Sequence, residues 1–474
     1  MSKIKLESFI EGKVKENDEV KYIEPSSILT KDRFDIAYKL LFLDSIDDNK
    51  KYKSELYCEH IKLITLGKFS EFGSETKNTL DAFVGEFLEL YNSIIEGGFD
   101  EGVSVVPLSA EDKSIANGSH RLSIALKLGK KIPCISTNSL PQGFTPNFFK
   151  KRGASENFIN IGINRFIKEL DSVYIAIIWP SSGKSGANYS KELFSDIIDS
   201  KSLDLNLNGL KNLVAHAYSK ENWIGTFESN FQTALNKAIP CFKENTPTRV
   251  YLFQDKSHDN VLQLKERFRD FCKLDKHSIH VTDTTNEVLN LASLIWQCNS
   301  DFLLNNASPY NAPSLYENFK KIPKRNDLMV GSSIMNLFGL RDSYDLDLIR
   351  FDSNNYMIDS STLIEYKKFL NIDDPYQFFS SPSNRTFFQG IYFLEFSLLK
   401  KFKDHRSEDK DINDVILMND LLRGRKSSSL VKLKTFIFYY QQKCLHIVIY
   451  FLFKTRLYKP VRFIYRLIKR VVNK

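Results

Sequence analysis

Between Met329 and Ile349 the chain reads Met-Val-Gly-Ser-Ser-Ile-Met-Asn-Leu-Phe-Gly-Leu-Arg-Asp-Ser-Tyr-Asp-Leu-Asp-Leu-Ile, and the rest of the sequence is best read around it. A short apolar run ends at Gly331-Ser332, and Ile334, Leu337 and Phe338 then recur at helical spacing. After a turn, Asp345-Leu346-Asp347-Leu348-Ile349 alternates as a strand, which puts the carboxylates of Asp345 and Asp347 on one face. Glycine allows close backbone approach, Ser332 adds a hydroxyl, and free N–H groups at a helix start attract phosphate oxygens. Two parallel carboxylates suit a hard cation such as Mg²⁺, which keeps oxygen ligands and bridges protein to phosphate. A Gly-Ser turn or a surface Asp-x-Asp is common alone. Their co-occurrence around one helix is much rarer.

Gly-Ser, a helix, then Asp-x-Asp resembles the signature of the nucleotidyltransferase superfamily, the DNA polymerase β-like fold. The resemblance implies that Gly331, Ser332 and Arg341 meet the phosphates of a nucleoside triphosphate. It also makes Asp345 and Asp347 the catalytic, Mg²⁺-binding pair. A second block, Phe393–Leu422, carries Glu395, Lys400, Lys403, Arg406, Lys410-Asp411 and Asp414. It resembles the helical segment that follows the catalytic sheet in several groups of that superfamily, where Lys410, Asp411 and Asp414 would orient helix to sheet or touch the nucleotide. A charged amphipathic helix pair is the plain alternative. Active members usually hold a third carboxylate on a neighbouring strand. Asp359 and Glu395 both stand in plausible contexts, and the sequence does not choose between them.

A chain of 474 residues is long enough for two to four domains. Its six cysteines show no Cys-x-x-Cys pairing, which disfavours a zinc site or a disulfide framework and suits a reducing cytosol. The first residues, Met-Ser-Lys-Ile-Lys-Leu-Glu, contain no apolar signal region. The formal net charge of +8 hides an asymmetry. After Asp420 there are 14 Lys and Arg and no acid, so the preceding 420 residues hold 52 basic against 58 acidic groups, a net of −6. The tail is a separate, strongly basic object.

Within residues 1–140, apolar spacing predicts helices over Ile36–Phe42 and Leu80–Ile95, the second stopping at Gly97-Gly98. A strand near Val103–Leu108 and one near Ile132–Cys134 flank Asn117-Gly118-Ser119-His120-Arg121, which opens a helix. Backbone amides at such a start, with His120 and Arg121 beside them, make a compact anion site. The alternative is a helix start where Arg121 forms a salt bridge and His120 caps. The run resembles the ParB/sulfiredoxin-like fold, which implies nucleotide or phosphate binding by Asn117, Gly118, Ser119, His120 and Arg121. Ser119 stands where sulfiredoxins carry their reactive Cys, so peroxiredoxin repair is not expected.

Residues 141–170, with Pro141, Gly143, Pro146 and Gly153, read as a connector. A small α/β middle domain follows over 171–305, with strands at Val173–Trp179, Thr248–Phe253 and Ser278–Val281 and helices including Tyr189–Ile198. Ser181-Ser-Gly-Lys-Ser looks like a P-loop but has Ile178 where the first glycine belongs. His277 and His280 lack carboxylate or Cys partners in sequence, so no metal is expected there. The nucleotidyltransferase-like domain occupies 306–425, and residues 426–474 form a basic amphipathic tail. The apolar run Ile447–Phe453 is too short to span a bilayer, whereas arginines beside an apolar stripe suit a helix lying on anionic lipid. Docking on the protein body is the rival, and nucleic acid is not expected as a partner.

The expected class is therefore α/β and α+β multidomain. The combination resembles multidomain proteins of bacterial surface-polysaccharide gene clusters. It implies a cytoplasmic transferase at the inner membrane face that moves a nucleotidyl or phosphoryl group from a triphosphate to a small or saccharide acceptor. The alternatives are kinase-like phosphotransfer by the amino-terminal domain, a non-catalytic nucleotide-binding scaffold, and a toxin-like nucleotidyltransferase acting on macromolecules.

Overall fold

The computed structural model describes residues 13–14, 19–48, 50–70, 76–102, 105–226, 229–308, 327–343, 346–351 and 360–425, with scattered positions between 437 and 455. Among these residues the chain is a mixed α/β protein built on three small sheets. The amino-terminal sheet contains β1 (Lys21–Ile23), β2 (Val106–Ser109) and β3 (Ile132–Thr137) in the order β1–β3–β2. Helices α1 (Asp35–Asp48), α2 (Lys51–Thr65) and α3 (Leu80–Gly97) accompany it, and α3 starts where Thr79 accepts the Ala82 amide. Because β2 and β3 run parallel, the chain must cross over between them, and α4 (Ser119–Leu128) is that crossover.

The stretch expected as a connector folds instead into α5 (Pro146–Lys151) and α6 (Glu156–Phe166). Its prolines and small residues mark helix starts: Pro146 opens α5 behind Thr145, and Ser155 caps α6 by accepting the Phe158 amide. Its apolar residues then decide the outcome, since Phe149, Phe158, Ile159, Ile163 and Phe166 are all buried in the central core. Tyr38 of α1 stacks on Phe158 at 3.9 Å between ring centroids, and its hydroxyl donates to the Phe158 carbonyl at 3.2 Å. A Cβ at Gly162 would overlap Phe34 and Tyr38, so glycine sets how closely α1 and α6 approach.

In the middle region, β4 (Val173–Ile178), β5 (Ile197–Leu203), β6 (Thr248–Gln254) and β7 (Ile279–Val281) form a sheet of order β5–β6–β4–β7. All its pairings are antiparallel. Three strands fall where their apolar runs predict. The fourth does not: α7 (Gly183–Leu193) ends before Ile197, and the residues expected to finish that helix enter β5 beside the ladder of β6. Helices α8 (Leu207–Ala217), α9 (Gln232–Cys241), α10 (His258–Cys272), α11 (Thr285–Ile295) and α12 (Ser300–Asn306) surround this sheet.

The third sheet contains β8 (Leu328–Val330), β9 (Asp347–Ile349), β10 (Arg385–Phe388) and β11 (Ile391–Leu394) in the order β10–β11–β8–β9. Helix α13 (Ser332–Leu337) joins β8 to β9, and α14 (Ser361–Leu370), α15 (Pro375–Ser380), α16 (Phe396–Arg406) and α17 (Asp409–Leu422) complete the unit. Its edge strand β10 is covered by Gln297, whose side chain accepts the Phe387 amide at 2.6 Å and donates to the Phe387 carbonyl at 3.0 Å. His216 at the end of α8 accepts the Gln389 amide at 3.1 Å, a second tie between the two sheets.

Most of the expected tail lies outside the described residues. At its described positions Ile437, Ile447, Val448 and Phe451 are helical, with exposures of 45–61%. No helix among the described residues is long and apolar enough to cross a membrane.

Candidate functional site

The strand–turn–helix–strand order expected around Gly331 is present. β8 is fully buried, turns at Gly331 (φ +66°), and leads into α13, a helix of only six residues. β9 returns antiparallel with Asp347 opposite Val330. That register brings the Asp347 carboxylate onto Gly331, where a Cβ would overlap it. The carboxylate takes up the space that the missing side chain leaves. The Gly331 amide donates to the Tyr366 hydroxyl at 2.9 Å, and the Tyr366 ring stacks on Phe402 at 3.8 Å, so the turn is held from beneath by α14 and α16. Burial, with the nearby charge of Asp347 adding, pushes the Tyr366 phenol well up. Asp345, the other half of the expected metal pair, lies outside the described residues, as does Asp359.

Ser332 stands at the start of α13 with its hydroxyl bonded to that of Ser343, which ties the returning loop to the turn. Two polar side chains that sequence reasoning missed lie further along the same helix. The Ser333 hydroxyl and both polar atoms of Asn336 are buried without a hydrogen-bond partner. They are three positions apart and so share a helix face. Buried polar groups are nearly always paired, and this pair leaves donors and acceptors to spare beside the Gly331 turn.

Arg341, expected at the phosphates, is bonded to a carboxylate. Its Nε and Nη2 donate to the two oxygens of Asp414 at 2.7 and 2.9 Å, on a carboxylate with no solvent exposure. Lys403 bridges Asp414 (2.7 Å) and Asp411 (3.0 Å), and Arg406 grips Asp411 with two further bonds. Burial raises the Asp411 and Asp414 carboxyls, but hydrogen bonds and charge from Arg406, Arg341 and Lys403 outweigh it and hold both below the usual range. Arg341, Asp411 and Asp414 therefore lock the β9-leading loop onto α16 and α17. Lys410, expected near the nucleotide, pairs with Glu408 at 2.9 Å on the half-exposed start of α17. Glu395 is spent on the α16 N-terminus, accepting from the Ser397 and Leu398 amides, with Asn299 donating to its other oxygen at 3.3 Å.

In the amino-terminal unit the five motif residues separate into two environments. His120 turns inward: its Nε2 is 2.9 Å from the Tyr57 hydroxyl, its ring lies 4.4 Å from Phe87, and burial holds it far below the usual histidine range. Its Nε2 is thus engaged with Tyr57, while the ring remains only part-buried. Arg121 folds back over Gly118 and donates to the Val105 carbonyl at 2.6 Å. Asn117 accepts the Gly118 amide, and Ser119 opens α4. Beside them lies a buried ionic chain that no motif signalled. Arg33 grips Asp35 with two bonds, Asp35 pairs with Lys39 at 3.0 Å, and Lys39 meets His60 Nε2 at 3.0 Å.

In the middle region the P-loop-like serines bond backbone. Ser181 and Ser182 donate to the carbonyls of His277 and Ser278. His280 on β7 pairs with Glu287 at 2.9 Å, while His277 sits in a turn before the strand and not within it. Among the described residues, no group of three or more His, Cys, Asp or Glu side chains could hold a metal ion. No protein-family profile, curated protein or solved structure matches this chain.

Proposed function

We propose that the chain is a Mg²⁺-dependent nucleotidyltransferase of the DNA polymerase β-like type. It would transfer a nucleotidyl or phosphoryl group from a nucleoside triphosphate to a small or saccharide acceptor in bacterial surface-polysaccharide synthesis. The observation that carries this reading is the placement of Asp347 against Gly331, one residue before Ser332. The space left by a missing Cβ is filled by a carboxylate, which suits a hard cation at the mouth of the turn. Asp345 and Asp347 would hold Mg²⁺, which when bound neutralises charge on the triphosphate. The unpaired Ser333 and Asn336 add polar capacity beside it. The Arg341–Asp414 lock keeps the loop between α13 and β9 in register, which is positioning work. The parallel β2–α4–β3 crossover supports a ParB/sulfiredoxin-like reading of the amino-terminal unit. The exposed apolar positions and the acid-free basic run support a tail on anionic lipid at the inner membrane face.

One observation favours a second reading, a nucleotide-binding scaffold without turnover: Glu395 caps a helix and so is not available as the third carboxylate. Two measurements on the full chain separate the readings. Thermal shift against the four triphosphates, with and without Mg²⁺, reports binding, and release of pyrophosphate or phosphate reports turnover. Binding and turnover that both need Mg²⁺, with turnover lost in Asp347→Asn, support the enzyme. Mg²⁺-dependent binding without turnover supports the scaffold, and no binding sinks both.

A further inference from the structure

A cleft of about 870 Å³ lies in the middle region, lined by none of the residues of either motif. It opens beside the edge strand β7, between the end of α8, α9, α10 and the start of α11. Its volume is that of a small-molecule site. Its lining carries five cations, Lys220, Lys237, Lys265, Arg269 and Lys276, against three acids, Glu221, Asp283 and Glu287. Glu287 is already committed, accepting from His280 and from the Asp283 amide, and Lys265 lies 3.8 Å from Asp283. Positive charge is therefore in excess where the other cations sit.

Lys237 is almost fully buried and has no carboxylate partner among the described residues; it donates to the Lys276 carbonyl and lies 5.8 Å from the Tyr218 ring centre. Arg269 pairs with Glu266 through one terminal nitrogen, but its Nε–H is buried without a hydrogen-bond partner. A buried, unpaired guanidinium nitrogen beside an ammonium that has only a carbonyl and an imidazole to meet is costly unless an anion completes it. The apolar side of the cleft is aromatic. Tyr218 lies 5.3 Å from Trp223 and 4.7 Å from His280 between ring centres, and Trp223 remains 43% exposed. An exposed indole next to a cationic pocket offers a stacking face to a planar ring.

We infer that this cleft is a binding site for a ring-bearing phosphate, of the nucleotide class, with the ring on Trp223 and Tyr218 and the phosphates toward Lys237, Arg269 and Lys276. The site is distinct from the Gly331 turn and does not depend on how that turn is used.

The chain reports on the site by itself. It has three tryptophans, and Trp179 and Trp296 are each only 1% exposed, so acrylamide quenching of the native fluorescence reads Trp223. The full-length protein is titrated with the nucleoside diphosphates of the four common bases, with the matching nucleosides, and with pyrophosphate. At least one diphosphate is expected to shield Trp223, more strongly than its nucleoside or pyrophosphate does, and Trp223→Phe removes the signal. By calorimetry, Arg269→Ala and the more exposed Lys276→Ala each weaken that diphosphate roughly tenfold or more. Asp347→Asn leaves the shielding unchanged. The inference is overturned if no diphosphate shields Trp223, if pyrophosphate alone does so equally, or if folded Lys276→Ala and Arg269→Ala bind as before. Loss of shielding in Asp347→Asn would place the ligand in the third sheet and overturn it too.

Discussion

The carboxylate of Asp347 occupies the space that a side chain on Gly331 would need, so the two positions are chemically coupled although they stand sixteen positions apart in sequence. Gly331→Ala meets both the positive φ and the overlap, and is expected to cost about 2–5 kcal/mol. Adding Asp347→Ala removes the carboxylate from that space, leaving its Cβ 3.2 Å away, and brings the cost down toward the backbone part, about 1–3 kcal/mol. Urea unfolding of the two single variants and the double measures this. Strict additivity would mean that the two residues do not touch.

Asp414→Ala strips the partner from Arg341 and from one side of Lys403, both of them buried. A loss of about 3–5 kcal/mol is expected, because uncompensated charge is left in the interior. Arg341→Ala should likewise lower the melting temperature in the absence of any nucleotide. If Arg341→Ala melts normally and only triphosphate affinity falls, the arginine is a ligand and not a lock. The carboxyls of Asp411 and Asp414 lie below their usual range, so their contribution is complete above about pH 4 and is lost as pH falls through the lower folded values.

Three histidines are held neutral, His60 and His216 in the interior and His120 at a part-buried position. Burial pushes His60 and His120 far down and His216 to about 3. Folded values below the unfolded one mean full stability above about pH 6.5 and a progressive loss as pH drops below it, before the carboxylates titrate. The melting temperature should therefore begin to fall near pH 6.5, with proton uptake on unfolding. His216→Gln keeps an acceptor for the Gln389 amide and should flatten that slope by close to one proton. An unchanged slope would place the protonation elsewhere.

Full-length protein is expected to sediment with anionic liposomes, less so with neutral ones, and less again as salt screens the basic tail. Phe451→Asp, at an exposed apolar position, should release it. A chain ended near Gly424 should stay in the supernatant and remain folded. Aggregation or unfolding of that shortened chain would show that the stripe belongs to the protein's own core.

What could be read in advance follows a physical division. Gly97-Gly98 and the apolar spacing of α3 are local, and local signals place that helix to within two residues. The Gly331 turn was equally legible, since glycine, apolar strand and alternating aspartates lie within one segment. Long-range pairing was not. Nothing within four residues of Arg341 announces that Asp414 will claim it, and His120 looks like an anion ligand until Tyr57 and Phe87 fold over it. β5 escaped for the same reason, because Ile197–Leu203 becomes a strand only beside the ladder of β6. Residues 141–170 look like a connector because Pro and Gly punctuate them, yet five of their aromatic and aliphatic residues need a core and so form α5 and α6.

The consequence of that last helix reaches further than its eleven residues. One face of α6 takes the aromatics of α1. Asn160 and Asn164 donate to the carbonyls of Gln297 and Trp296, and Asn157 donates to Ser383 beside the third sheet. A single rod thus ties together the elements around all three sheets, and among the described residues it leaves no clean seam between the three units. A fragment ending at residue 140 would carry Phe34 and Tyr38 uncovered, and one beginning at 171 would lack the post on which its neighbours hang. Assigning separate roles to the three units will call for point substitutions in the intact protein rather than dissection into pieces.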